Sequence, residues 1–398
     1  MILQEAQRIV EQVLAPLTLD EFLDDVLGKR FVKVPCSTQS DRISLLGADP
    51  ESVILGAYRD AAPHLGFHSA SPSGPAPAVE AVADARAFRT KIDSFHSRGY
   101  TVRVPQPRGL APKLDEFLRA LEFLFQQPAS CEVFWSRGDA RAPAHHDDYD
   151  LIAIQLKGNK RWFISTERSE LPNVWNNAAS GPPPLTNHAV VEVVPGDMLY
   201  LPRGTGHRVD ALSESLHLAI GFNPLTLRDA INAAVDHFSD IDRHLRETVG
   251  ARIAAADARR DFNGLYPAVN EGVARLLQLC SSPEFLAQAM QQRASRAVKG
   301  LKATPPPALR ITLGPDSRLR HRAATFCHLS FNGERIVFSH PGGQIFIHPG
   351  VEPSLRYIAQ TPEFRVRDVP GEMGQDVRIA LVQRLVTSGF LDVVSEQG

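Results

Sequence analysis

Residues 144–165 read AHHDDYDLIAIQLKGNKRWFIS, and they decide how the rest of the chain is read. The stretch opens on His145-His146-Asp147, an H-x-D triplet. Along an extended backbone, residues i and i+2 point to the same face. His145 and Asp147 can therefore reach one metal ion together, while His146 points away. An apolar run follows, then Gly158-Asn159, then Lys160-Arg161-Trp162-Phe163-Ile164. This pattern predicts a hairpin of Asp150–Lys157 and Lys160–Ser165 around the Gly158-Asn159 turn. A second stretch completes the set: residues 195–209 read PGDMLYLPRGTGHRV and fit G-x5-P-x4-H with Gly196, Pro202 and His207.

Two histidines and one carboxylate on one side of a metal leave its other positions open, the ligand geometry of non-haem Fe(II) oxygenases. His145 and His207 are 62 positions apart, so separate strands must bring them together. Outward from these motifs the strand signals continue. Cys131–Ser136 reads as a strand followed by a turn at Arg137-Gly138-Asp139. Ala189–Val194 and Met198–Pro202 read as strands around Pro195-Gly196-Asp197. In Ser215–Phe222, Leu216, Leu218, Ile220 and Phe222 alternate with Ser215, His217 and Ala219. Many short strands with Gly/Pro turns predict a double-stranded β-helix, the jelly-roll or cupin arrangement.

Upstream, Ile2, Ala6, Ile9, Val10, Val13 and Leu14 recur at helical spacing. Thr18-Leu19-Asp20-Glu21 is a capping box opening a second helix that closes at Gly28. Phe31–Val34 and Tyr100–Val104 are strand-like, residues 69–80 are a Ser/Pro/Ala-rich loop, and a helix is expected from Pro112 to before Pro128. Downstream of Asn223-Pro224, residues 226–299 carry helical stripes (Leu227, Ile231, Ala234, Val235, Phe238, Ile241; then Val269, Val273, Leu276, Leu277), with Ser282-Pro283 a helix start. Thr304-Pro305-Pro306-Pro307 reads as a linker. Beyond it come short strands, a hairpin at Asn332-Gly333 and a helix over Gln375–Val386.

The chain has 398 residues, more than one typical core needs, so two or three domains are expected. Its net charge of −2 gives no sign of a nucleic-acid or membrane-surface partner. Cys36, Cys131, Cys280 and Cys327 are scattered without zinc spacing and read as free thiols in a reducing compartment. No apolar run approaches the roughly 18 residues that span a bilayer. The amphipathic, acid-bearing start is unlike a signal peptide. A cytoplasmic protein is expected.

HxD, Gly158-Asn159-Lys160-Arg161-Trp162 and the G-x5-P-x4-H segment together resemble the JmjC-type cupins, which are Fe(II)- and 2-oxoglutarate-dependent oxygenases. The branch most similar is that of the ribosomal-protein hydroxylases, with the core likeness over residues 100–223. The resemblance implies Fe(II) held by His145, Asp147 and His207, with 2-oxoglutarate and dioxygen as cosubstrates. It implies that Lys160, fifteen positions after His145, binds the distal carboxylate of 2-oxoglutarate. It places a supporting hydroxyl at Ser136, although Phe134 or Trp135 could face inward instead. His217 is read either as a hydrogen-bonded core histidine or as a cosubstrate contact. Tyr149 and Asp150 brace the site. Arg203 and Arg208 line the mouth or are solvated.

The resulting expectation is an α+β chain in four parts. Residues 1–99 are an N-terminal extension, 100–223 the cupin oxygenase core, 224–303 a helical dimerisation domain and 304–398 a winged-helix-like domain. From residue 305 onward ten Arg and no Lys face nine Asp/Glu, with no basic stripe, so a structural role is favoured over nucleic-acid binding. The expected activity is hydroxylation of a protein side chain, an arginine or histidine of a ribosomal protein by resemblance. Alternatives are a biosynthetic hydroxylase of a free, peptide-borne or carrier-bound amino acid, N-methyl-lysine demethylation, and a non-catalytic metal-binding cupin with a regulatory winged helix. A homodimer is expected.

Overall fold

A computed structural model describes residues 1–38, 41–105, 107–172, 185–248, 263, 265–303 and 312–394. The Thr304–Pro307 linker lies outside the described residues. Two compact units are present, Met1–Pro224 and Leu225–Gly398. Among the described residues no helix is long and apolar enough to cross a membrane. The four cysteines are unpaired.

The first unit begins with helix Leu3–Leu14, which buries Ala6, Ile9, Val10, Val13 and Leu14 as its spacing requires. Thr18 caps the next helix: its hydroxyl accepts from the Glu21 amide at 3.2 Å, and Glu21 accepts from the Thr18 amide at 3.0 Å. That helix widens to a π-turn over Phe22–Val26 and stops before Gly28, where φ is +68°. The Gly28 amide donates to the Tyr200 hydroxyl at 2.7 Å, which ties this segment to the barrel. Arg42, wholly buried, donates to the carbonyls of Ala15, Val34 and Pro35 and so joins three stretches of backbone.

Ten strands follow in this unit: β1 Val32–Val34, β2 Gly66–His68, β3 Thr101–Pro105, β4 Ala129–Ser136, β5 Asp150–Lys157, β6 Lys160–Ser165, β7 His188–Val193, β8 Met198–Leu201, β9 His207–Ala211 and β10 Ser215–Phe222. They form a seven-stranded sheet, β1-β8-β5-β10-β4-β3-β2, and a three-stranded sheet, β7-β6-β9. All described pairings are antiparallel. Helix Pro112–Phe125 precedes β4, and its chain reversal is made by Gln126 at φ +50°.

The expected hairpin of residues 150–165 is not formed. β5 pairs with β8 and β10, and β6 pairs with β7 and β9. Gly158-Asn159 therefore carries the chain from one sheet to the other. The reason lies in β5 itself: every residue of it but Lys157 is buried, so both faces are covered and both edges are filled by other strands. A local turn signal cannot distinguish a hairpin from such a corner. Gly158 sits at φ +63°, and a β-carbon there would collide with the carbonyl oxygen of Glu214. The corner thus requires glycine for both conformation and space.

In the second unit, helices Leu227–Ile241, Tyr266–Cys280 and Pro283–Gly300 come first. The last is capped by Ser282, with Pro283 at its first position. Six short strands follow, β11 Arg318–His321, β12 His328–Phe331, β13 Ile336–His340, β14 Gly343–Ile347, β15 Glu363–Arg365 and β16 Leu391–Val393. They build the sheets β12-β13-β14 and β15-β11-β16. Helices Glu352–Gln360 and Gln375–Thr387 complete a core that includes Leu319, Phe338, Leu355, Val382 and Phe390. The β12–β13 hairpin turns at Asn332-Gly333, where the Asn332 side chain accepts from the Arg335 amide at 2.8 Å.

Candidate metal and cosubstrate site

A cavity of about 380 Å³ lies between the two sheets of the first unit. Strand alternation decides what lines it. From the large sheet come Thr101 and Arg103 of β3, Glu132, Phe134 and Ser136 of β4, and His217 and Ala219 of β10. From the small sheet come Lys160 and Trp162 of β6, and His207, Val209 and Ala211 of β9. The intervening residues Val133, Trp135, Leu216 and Leu218 are buried on the other face.

His145 and His207 are paired as extended neighbours, each amide donating to the other's carbonyl at 3.0 and 2.8 Å. Their rings lie 4.3 Å apart. The Asp147 carboxylate stands 4.0 Å from His145 Nε2 and 3.9 Å from His207 Nε2. Among the described residues these three form a group able to hold a metal ion, one atom from each lying within 4.8 Å of the others. His145 Nδ1 lies 3.0 Å from the Pro143 carbonyl, and His207 Nδ1 lies 3.0 Å from the Thr205 carbonyl. A carbonyl only accepts, so each Nδ1 carries the proton and each Nε2 lone pair is free for a metal. Burial and the nearby His145 draw His207 down to about 4, so its imidazole is neutral at ordinary pH. His146 is not part of the group.

Tyr149 lines the cavity beside Asp147, and its hydroxyl is pushed up by burial and by that carboxylate. A β-carbon on Gly221 would come 2.7 Å from the Tyr149 ring, so the glycine makes room for it. Asp150 is buried and accepts from the Tyr200 hydroxyl and, at 3.1 Å, from the Arg203 amide. It thereby fixes the loop that leads to His207. Neither Arg203 nor Arg208 lines the cavity; Arg208 lies over the Phe163 ring at 4.0 Å.

At the buried end, Lys160 is 2% exposed. Its Nζ donates to Ser136 Oγ at 2.9 Å and stands 2.7 Å from His217 Nδ1. Thr101 Oγ1 is 3.0 Å from Ser136 Oγ. Among the described residues no carboxylate pairs with this lysine, and burial draws it down to about 7. Lys160, Ser136 and His217 are thus brought together, while Trp135 faces away and Phe134 lies flat against His217. The Trp162 Nε1–H, also buried beside the cavity, has no acceptor among the described residues. A buried cation and a buried donor, both without acceptors of matching charge, fit an anion entering from the cavity.

Several lining residues were not singled out in the sequence. His68 comes from β2, outside every motif, and burial with Lys160 nearby holds it near 4. Arg103 and Glu132 pair at 3.3 Å near the mouth. Thr101 and Arg103 had one signal, polar residues alternating with Val102 and Val104 in a strand.

Residues 109–230 match the sequence profile described as the JmjC domain. Ribosomal oxygenase 1 of Rattus norvegicus is 25% identical over 287 residues, 65% of this chain and 46% of that protein. The bifunctional lysine-specific demethylase and histidyl-hydroxylase NO66 of Drosophila simulans is 23% identical over 317 residues, covering 71% of this chain and 37% of the relative. The chain therefore spans less than half the length of these relatives. Among solved structures, YcfD, a ribosomal oxygenase from Escherichia coli in complex with cobalt and 2-oxoglutarate, superimposes with a TM-score of 0.57 at 18% identity, over 96% of this chain and 99% of that one. That likeness extends the shared fold well beyond the matched segment. The HxD…H triad thus lies inside the segment, residues 109–230, that matches the JmjC domain profile.

Proposed function

We propose that this protein is an Fe(II)- and 2-oxoglutarate-dependent hydroxylase acting on a C–H bond of a protein side chain, an arginine or histidine of a ribosomal protein. One observation carries the reading. A two-histidine, one-carboxylate group and a buried lysine without an anionic partner share a single cavity. The cavity volume falls in the range of about 300 to 1,000 Å³ usual for small-ligand sites. The names of the relatives, a ribosomal oxygenase and a bifunctional lysine-specific demethylase and histidyl-hydroxylase, favour a protein side chain as substrate.

His145, Asp147 and His207 hold the metal through two neutral imidazoles and one carboxylate, leaving one side open. Iron, 2-oxoglutarate and dioxygen together supply the oxidant for an unactivated C–H bond. Lys160, with Ser136 and His217, would receive the distal carboxylate of 2-oxoglutarate. Ala142, Leu151, Val209, Ala211 and Ala219 give the cavity apolar walls that exclude water. The His145 side chain is 46% exposed and that of His207 3%, so substrate approaches from the His145 side.

Succinate formation dependent on Fe(II) and 2-oxoglutarate, together with a mass gain of one oxygen atom on a ribosomal protein, is the expected result. Cells lacking the protein should lack that modified form. Turnover only with a free or carrier-bound amino acid would move the substrate to the biosynthetic class. DNA binding without turnover would instead indicate a regulatory cupin.

We further infer that residues 224–303 form a dimerisation domain and 304–398 a winged-helix-like domain with a structural role. Leu227, Ile231 and Val235 form an exposed stripe on one helix, and Tyr266, Val269, Val273 and Leu277 form another. Apolar faces of this extent favour a protein partner. Light scattering should give twice the chain mass; a monomer after Leu277→Glu would identify the face, and a monomeric parent protein would exclude it.

A further inference from the structure

Among the described residues Lys160 Nζ has two partners, Ser136 Oγ and His217 Nδ1. The His217 ring is held on both sides: it stacks on Phe134 with centroids 5.0 Å apart and planes 5° from parallel, and it meets Trp162 edge-on at 5.7 Å. Its Nδ1 is therefore fixed toward the lysine. This partner serves in either protonation state. An ammonium donates to a bare Nδ1, and a neutral amine accepts from Nδ1–H. The charged and titratable groups facing the pair are His68 on β2, Arg103 on β3, Glu132 on β4, and the metal-site residues His145, Asp147 and His207. Both carboxylates of the cavity, Glu132 and Asp147, already have neighbours of their own.

We propose that Lys160 and His217 form a proton-linked anchor: a dicarboxylate enters the cavity together with one proton, which Lys160 carries, while His217 is the positioning residue that holds Nζ in place before and after. The inference rests on the functional reading above and deepens it. The balance is simple. A neutral amine, a proton and a carboxylate become an ammonium–carboxylate pair, and no covalent bond to carbon changes. Lys160 is buried and its partners among the described residues are a hydroxyl and an imidazole, so nothing beside Nζ offsets the desolvation of its charge, and the empty site holds that proton weakly. A carboxylate beside Nζ restores the charged form.

The test is calorimetric titration of 2-oxoglutarate into the Zn(II)-loaded full chain, from about pH 6.5 to 9, in buffers with different heats of ionisation. The expected result is proton uptake approaching one per site by about pH 8, with affinity falling toward about tenfold per pH unit above pH 7. Lys160→Arg keeps its charge throughout, so it should bind with flat affinity and no uptake. His217→Leu should weaken binding by roughly tenfold, and His217→Asn, which restores an acceptor, should recover most of it. PH-independent affinity without buffer dependence overturns the proposal. So does uptake that persists in Lys160→Arg, because the proton then belongs to another group. Unchanged affinity in His217→Leu removes the positioning role without needing the arginine variant to fold. Complete failure of the metal-loaded protein to bind 2-oxoglutarate is a different result, and it overturns the functional reading itself.

Discussion

Asp147→Ala is expected to lower 2-oxoglutarate turnover by about a thousandfold or more and to strip iron from the purified protein, with little loss of fold. The carboxylate lies about equally far from both imidazoles, at 4.0 and 3.9 Å. It is the only negative charge of the triad, so without it two neutral ligands remain for a dication. Removing groups that merely orient metal ligands costs 10- to 100-fold in affinity as a rule, so loss of a ligand should cost about a hundredfold at least. A metal worth several kcal/mol in the transition state then corresponds to roughly three decades in rate. The fold should survive because the variant loses one side-chain contact, to Tyr149, and keeps the backbone bond in which the Asp147 carbonyl accepts from the Gly204 amide at 2.7 Å. Metal analysis after desalting, a succinate assay and a thermal melt measure the three effects. Full activity in the variant would remove Asp147 from the ligand set.

Lys160→Met is expected to weaken 2-oxoglutarate binding by about a hundredfold while leaving the empty protein as stable as before or more so. The two effects have one cause. An ammonium buried without an anion costs desolvation energy that its two neutral partners only partly return. Methionine fills similar volume without that cost. With the dicarboxylate bound, the balance reverses, because the variant leaves a carboxylate in a dry pocket without its cation, a loss of about 3 kcal/mol. The pH dependence has a definite sign. The folded protein holds this lysine near 7, below the roughly 10.4 of an unfolded chain. Between those values the unfolded state binds more protons, so this group makes stability rise with pH from about 7 to 10. Melting curves of the empty protein should show that rise in the parent and lack it in the methionine variant. A destabilised variant that still binds 2-oxoglutarate normally would reverse the assignment.

How legible the site was depended on how local each requirement is. His145, Asp147 and His207 were readable because a metal needs fixed residue types, two of them here within one triplet and the third inside the G-x5-P-x4-H segment. Lys160 came through a resemblance attached to the same segment. Ser136 and His217 stayed ambiguous in sequence, since a serine or histidine in a strand can face either side. The antiparallel pairing of β10 with β4, which sets His217 opposite Phe134, turns both side chains into the cavity. His68 offered no pattern at all, and Glu132 only its place in the strand-like run Cys131–Ser136. Helix Ala85–His96, capped by Asp84, buries Phe88, Ile92 and Phe95 and was likewise not expected from the sequence.

The sequence by itself determined which residues could bind a metal, that short strands dominate residues 100–223, and that helices follow. These properties depend on spacing and on the alternation of side chains within one segment. The tertiary structure alone decided that β5 and β6 belong to opposite sheets, that a corner at Gly158 separates them, and that a lysine, a serine and a histidine far apart in the chain meet around one nitrogen. Such facts depend on which strand edges find partners. That is settled by burial of β5 on both faces, a property of the assembled sheets and not of any single stretch of chain.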